Sequence, residues 1–106
     1  MKSFKENPPY GHLKDPHTVG PGKDFTQAQK RQIYEANRAR NGGKIVSDLS
    51  GKILTEPQKS MKGVAPRADA ANIDHEYPKS KGGTNSFTNA NVLSFDENMD
   101  KRDRVP

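Results

Sequence analysis

Residues 71–103 read ANIDHEYPKSKGGTNSFTNANVLSFDENMDKRD, a run that alternates β-prone segments with turns and ends in helix formers. Ile73 opens a short β-prone run in which Asp74 and His75 follow on opposite faces. Pro78 ends that run because it has no amide to donate to a ladder. Gly82-Gly83 supplies a flexible turn with positive φ. Asn91 to Ser94 forms a second short strand. Asp96 is a suitable N-cap for a last helix of about two turns, and Glu97 puts negative charge in its first turn. On that helix Asn98 and Lys101 lie three apart and face the same way. The order strand, loop, strand, helix makes a ββα unit with a cleft between strand and helix.

The residues at that cleft suit phosphodiester hydrolysis. Such a reaction needs a divalent ion to neutralise the phosphate, a base for water and cationic grip on the backbone. Asp74 and Asn98 are hard oxygen donors for one Mg²⁺ or Mn²⁺ and leave positions open for water and phosphate. His75 suits the base near neutral pH. Lys79, Lys81, Lys101 and Arg102 can hold the strand, although Lys79 and Lys81 also read as a solvated loop pair.

Upstream, residues 1–23 hold four prolines and three glycines and read as a linker or an irregular arm over the surface. His12 and His17, five apart in that arm, read as solvent-exposed. Met1 to Tyr10 has no apolar run of the kind a signal peptide needs. Thr26 and Gln29 form a capping-box pattern, and helix-compatible residues run from Gln27 to about Arg40. Gly42-Gly43 supplies the stop. This helix should pack through Phe25, Ile33 and Ala36 and show a cationic side outward. Two short β-prone runs in residues 44–54 flank Asp48–Gly51 and predict a hairpin. Residues 55–71 read either as a functional loop with Lys59, Lys62 and Arg67 or as a solvated connector.

Bulk properties agree with one small domain. Only 29% of the 106 residues are hydrophobic, so the core must be small. Lys and Arg total 18 against 13 Asp and Glu, a net charge of +5 that attracts polyanions. No strongly apolar amphipathic face and no membrane-spanning run is visible, so no membrane partner is expected. The absence of cysteine excludes disulfides and thiolate metal sites.

The composite Asp74-His75, Pro78-Lys-Ser-Lys-Gly-Gly-Thr-Asn85, Asn91-Val-Leu-Ser94 and Asn98-x-x-Lys101 resembles the HNH endonuclease family. Together with residues 24–30 and 47–51 it is similar to the C-terminal nuclease domains of bacterial polymorphic and contact-dependent toxins. The resemblance covers roughly residues 20–103. It implies an α+β fold: a small ββα-metal (His-Me finger) core at about 72–103, with an N-terminal helix and hairpin, in a domain spanning 24–106. His75 matches the general base, and Asp74 and Asn98 match the ligands of one divalent ion, Mg²⁺ first, with Mn²⁺, Ni²⁺ or Zn²⁺ as alternatives. The middle asparagine, which braces the loop and orients the base, is Asn89 or Asn91, with Asn89 favoured because it follows the Ser-Phe-Thr turn. Glu76 replaces a usual aliphatic residue, as a surface change or as added charge beside the metal. Phe95 stands where a basic residue is common. Many relatives carry a Cys-x-x-Cys-Gly zinc knuckle where this chain has Ser47-x-x-Ser50-Gly51. Serine is a poor zinc ligand, so hydrogen bonds should hold that turn.

The function implied is endonucleolytic cleavage of DNA with little sequence specificity, by an antibacterial effector. It would be delivered by the producing bacterium, act in the target-cell cytoplasm and be held by a cognate immunity protein. The same chemistry on RNA, or a nucleic-acid-binding module without cleavage, are the alternatives.

Overall fold

The computed structural model describes residues 8–59 and 61–105. Residues 1–7, which belong to the arm and to the segment read above for a signal peptide, lie outside them, as does Pro106. In chain order the elements are α1 (Gln27–Arg40), β1 (Ala71–His75), β2 (Ala90–Ser94) and α2 (Phe95–Lys101). Short 3₁₀ turns at Lys79–Lys81 and Phe87–Asn89 lie between the strands. The architecture is α+β, with β1 and β2 paired as an antiparallel sheet. Both strands begin earlier than their β-prone runs, β1 at Ala71 and β2 at Ala90. Ladder partners supply the difference: Ala71 lies across from Ser94, and His75 across from Ala90.

Helix α1 starts where its capping box places it. The Thr26 hydroxyl accepts the Gln29 amide at 3.1 Å, and the Gln29 side chain accepts the Thr26 amide at 3.0 Å. It ends with Gly42 and Gly43 at positive φ, and the Gly43 amide returns to the Arg38 carbonyl at 2.8 Å. Its buried stripe is Gln29, Ile33 and Asn37, at helical spacing. Ile33 and Phe25 are buried as expected, but Ala36 lies at the margin of the core. Two amides therefore stand where apolar residues would normally be. Each is satisfied: Gln29 Nε2 donates to the Asn85 carbonyl at 2.6 Å, and Asn37 exchanges bonds of 2.8 Å with both backbone groups of Val46.

The core also draws in the arm. Residues 8–23 contain no helix or strand, yet Tyr10 is fully buried beside Phe25, Ile33, Ile45, Phe87 and Val92. Its hydroxyl donates to the Asp48 carboxylate at 2.6 Å and accepts from Asn37 at 3.0 Å. Asp48 also accepts the Val92 amide at 2.7 Å and an Arg40 guanidinium N–H at 3.2 Å. Further along, the Asp15 carboxylate accepts from the Ser86 hydroxyl and the Phe87 amide, both at 2.7 Å.

The hairpin is shorter than its two β-prone runs, with one antiparallel bridge between Val46 and Ile53. Its turn is held by hydrogen bonds. The Ser47 hydroxyl accepts the amides of Leu49 and Ser50, each at 3.1 Å, and donates to Glu97 at 2.7 Å. That contact bears on α2, whose N-cap is Ser94 and not Asp96. Ser94 and Glu97 form a second capping box, and Asp96 falls inside the first turn. Burial would raise the Glu97 pKa, but hydrogen bonds from Ser50, Ser94 and Ser47 outweigh it and hold the carboxyl below its ordinary value.

In the loop between the strands, Gly82 takes φ +94°, the conformation expected of it. Gly83 is needed for a different reason: a Cβ there would meet the Tyr77 carbonyl oxygen at 1.9 Å and that of Pro78 at 2.8 Å. Gly83→Ala must therefore displace the backbone that follows His75, lowering the melting temperature by about 4 °C or more. Burial, and next the Asp48 charge, push the Tyr10 hydroxyl far above its ordinary pKa. The stability this residue contributes is complete below the unfolded tyrosine value of about 10 and is lost as pH rises toward the folded value. Tyr10→Phe should lower the urea midpoint at pH 7 by the equivalent of about 1–3 kcal/mol. It should also flatten the alkaline fall in stability.

Candidate active-site cleft

The ladder register decides what Asp74 and His75 face. Asp74 lies across from Asn91, and Ile73 and His75 point to the opposite side. Asp74 is buried and meets α2, where the Lys101 ammonium approaches its carboxylate oxygens at 3.1 and 3.4 Å. The same ammonium donates to the His75 carbonyl at 3.1 Å, so Lys101 clamps both members of the pair.

His75 is half-buried, and its ring lies 4.5 Å from the Phe25 ring, tilted by 36°. Nε2 is 2.8 Å from the Lys23 carbonyl oxygen. A carbonyl only accepts, so Nε2 carries the proton and Nδ1 of the neutral ring keeps its lone pair. Sequence reasoning missed both partners. Phe25 was read as packing alone, and a backbone carbonyl leaves no compositional signal.

A cleft of about 270 Å³ is lined by Asp74, His75, Lys79, Asn98 and Arg102, with Ile73 and Pro78 at its floor and sides. The structure thus brings together five of the eight residues singled out for the site. Lys101 acts from behind Asp74. Lys81 is exposed on its 3₁₀ turn and does not line the cleft. Lys79 is tied to Asp24 by an ion pair of 2.5 Å, and a hydrogen bond from that ammonium, then its charge, lower the Asp24 pKa. Arg102 closes α2 at φ +52°, a positive-φ conformation that costs a residue with a side chain about 1–3 kcal/mol.

The two middle asparagines do different work. Asn89 accepts the Tyr77 amide at 2.8 Å and donates to the Tyr77 and Thr84 carbonyls at 3.1 and 2.9 Å. Its own carbonyl accepts the Glu76 amide at 2.8 Å, which fixes the chain just past His75. Asn89 thus braces the loop and touches the imidazole nowhere among these contacts. Asn91 donates to the Glu76 carboxylate, which leaves Glu76 turned to β2 and off the cleft lining. The Asn91 Oδ1, on the Asp74 face, is buried with no hydrogen-bond partner among the described residues.

A hard cation suits this donor set. The Asp74 carboxylate and the Asn98 amide can each offer an oxygen, and an orphaned buried oxygen lies across the ladder from Asp74. No cluster of three or more His, Cys, Asp or Glu capable of metal binding occurs among the described residues. Any ion here would therefore lean on water and substrate oxygens for its remaining positions. His12 and His17 are exposed and remote from the cleft lining. No helix among the described residues is long and apolar enough to cross a membrane. No protein-family model, curated protein or solved structure matches the chain.

Proposed function

We propose that this domain is a metal-dependent endonuclease of HNH type that hydrolyses DNA phosphodiester bonds. The observation that carries the reading is the His75 ring, held by the Lys23 carbonyl at Nε2 and lining one cleft with Asp74 and Asn98. That hydrogen bond selects the tautomer whose Nδ1 accepts a proton from an attacking water. Phe25 limits the ring's rotation. Asp74 and Asn98 would hold one Mg²⁺ or similar ion, which when bound neutralises phosphate charge and stabilises the leaving oxygen. Arg102 offers a cation to the phosphate from the end of α2. No base-reading module is visible beside the cleft, so little sequence specificity is proposed. The resemblance to toxin nuclease domains further supports a delivered antibacterial effector with an immunity partner, acting in the target-cell cytoplasm.

A second reading, a binding module without cleavage, is favoured by one observation: the Lys101 ammonium already neutralises Asp74. Metal titration by calorimetry separates the two. Cleavage requires Mg²⁺ or Mn²⁺ binding that disappears in Asp74→Ala, and Lys101→Met should tighten that binding by removing a competing cation. DNA binding with no metal uptake by either protein favours the module.

Plasmid incubated with the protein and Mg²⁺, Mn²⁺, Ni²⁺ or Zn²⁺ should become nicked and then linear, and a chelator should stop it. His75→Ala should lower the rate by about 10²–10⁴-fold. Plasmid left intact with every ion sinks the proposal, and RNA run alongside identifies the preferred substrate.

A further inference from the structure

A groove of about 550 Å³ runs along the outer side of β1, between α1 and the chain at 57–59. Lys30, Tyr34, Gln58, Lys59, Asn72 and Ile73 line it. Ile73 also lines the cleft that holds Asp74 and His75, so the two depressions meet at that residue.

The groove differs from the cleft in charge. Asp74 and Asp103 line the cleft, whereas no carboxylate lines the groove. Most neighbouring cations are already engaged: Arg38 with Glu56, Arg40 with Asp48, Lys79 with Asp24 and Lys101 with Asp74. Lys30 and Lys59 make no ion pair among the described residues. Two ammonium groups held in no ion pair therefore line a groove whose other polar groups are neutral amides and a phenol.

Its dimensions and chemistry match a nucleotide. Lys30 and Tyr34 are four apart on α1, so they share a face, and Gln27 extends the same stripe. Lysines hold phosphates as point charges, and an aromatic face accepts any base. Amides such as Gln58 and Asn72 can both donate to and accept from sugar and base edges.

We infer that this groove is a subsite for the nucleotide flanking the scissile phosphate on the Ile73 side. In it Lys30 and Lys59 grip the backbone and Tyr34 stacks a base. Its position relative to a scissile bond rests on the endonuclease reading. Its affinity for a nucleic-acid strand does not, and can be measured without metal.

Binding of a short labelled single-stranded oligonucleotide in chelator, followed by fluorescence anisotropy across a salt series, tests it. Lys30→Gln with Lys59→Gln should weaken binding about tenfold and flatten the log–log salt slope by about 1 per lysine. Tyr34→Leu should weaken binding by about tenfold while leaving the slope unchanged. Lys62→Gln, outside the lining, should match wild type. Hydrolysis of bis(p-nitrophenyl) phosphate with metal, too small to reach the groove, should be equal in the wild-type and double-lysine proteins. Unchanged affinity and slope in the double-lysine variant overturns the subsite, whatever the cleavage result. Loss of binding in that variant, with no hydrolysis of any phosphodiester by the wild type, upholds the groove and removes the endonuclease reading.

Discussion

A single buried carboxylate, that of Asp48, joins the parts of this protein that its sparse apolar residues could not hold by themselves. Four segments converge on it: the arm through the Tyr10 hydroxyl, α1 through Arg40, the hairpin turn through Asp48 itself and β2 through the Val92 amide. An unpaired carboxylate at that depth would cost several kcal/mol, so these partners together make its burial possible. The Asp48 amide also donates to the Val92 carbonyl at 2.8 Å, so both backbone groups of Val92 are bound to this residue. That grip fixes β2. The β2 register fixes β1, and with it the faces on which Asp74 and His75 emerge. The chemistry of the cleft thus depends on a polar contact on the other side of the sheet.

Helix α2 shows the same strategy at smaller scale. Seven residues cannot sustain a helix alone. Its first turn is anchored to the hairpin by Ser47 and Glu97, and its last turn to β1 by Lys101. Between the two anchors sits Asn98, whose place on the cleft wall follows from both. A zinc-bound knuckle would tie such a turn through metal. Here the Ser47 hydroxyl gathers two turn amides and reaches the helix through a carboxylate.

What could be read from the sequence was whatever depended on neighbours a few residues apart. The Thr26–Gln29 capping box, the Gly42-Gly43 stop and the Gly82 turn are local patterns, and the structure contains each. The alternation of Asp74 and His75 follows from strand geometry alone. The α2 start was misplaced because Ser94 looked like a strand residue, although Ser94-Phe95-Asp96-Glu97 is itself a capping-box pattern. Remote pairings carried no such signal. Tyr10 sits among prolines and glycines, and its hydroxyl's partners, Asn37 and Asp48, lie 27 and 38 positions on. The Asp24–Lys79 pair and the Lys23 carbonyl on His75 join the arm's end to the site loop across more than fifty residues. Gln29 and Asn37 are core residues because Asn85 and Val46, remote in sequence, supply their partners.

Charge differs between the two depressions along β1: carboxylates line the cleft and none lines the groove. In the cleft, Lys101 neutralises Asp74, and Lys79 neutralises Asp24 nearby, so the site presents little net field of its own. A cation entering beside Asp74 must displace or share the Lys101 contact. Arg102 ends α2 at positive φ, a strained backbone for a residue with a side chain. In the groove beyond Ile73, Lys30 and Lys59 are among the lining residues and no carboxylate is. A polyanion drawn first to that groove would lie across Ile73 with its backbone delivered to His75 and Asp74. Long-range attraction and reaction would then be assigned to different residues of one strand's two ends.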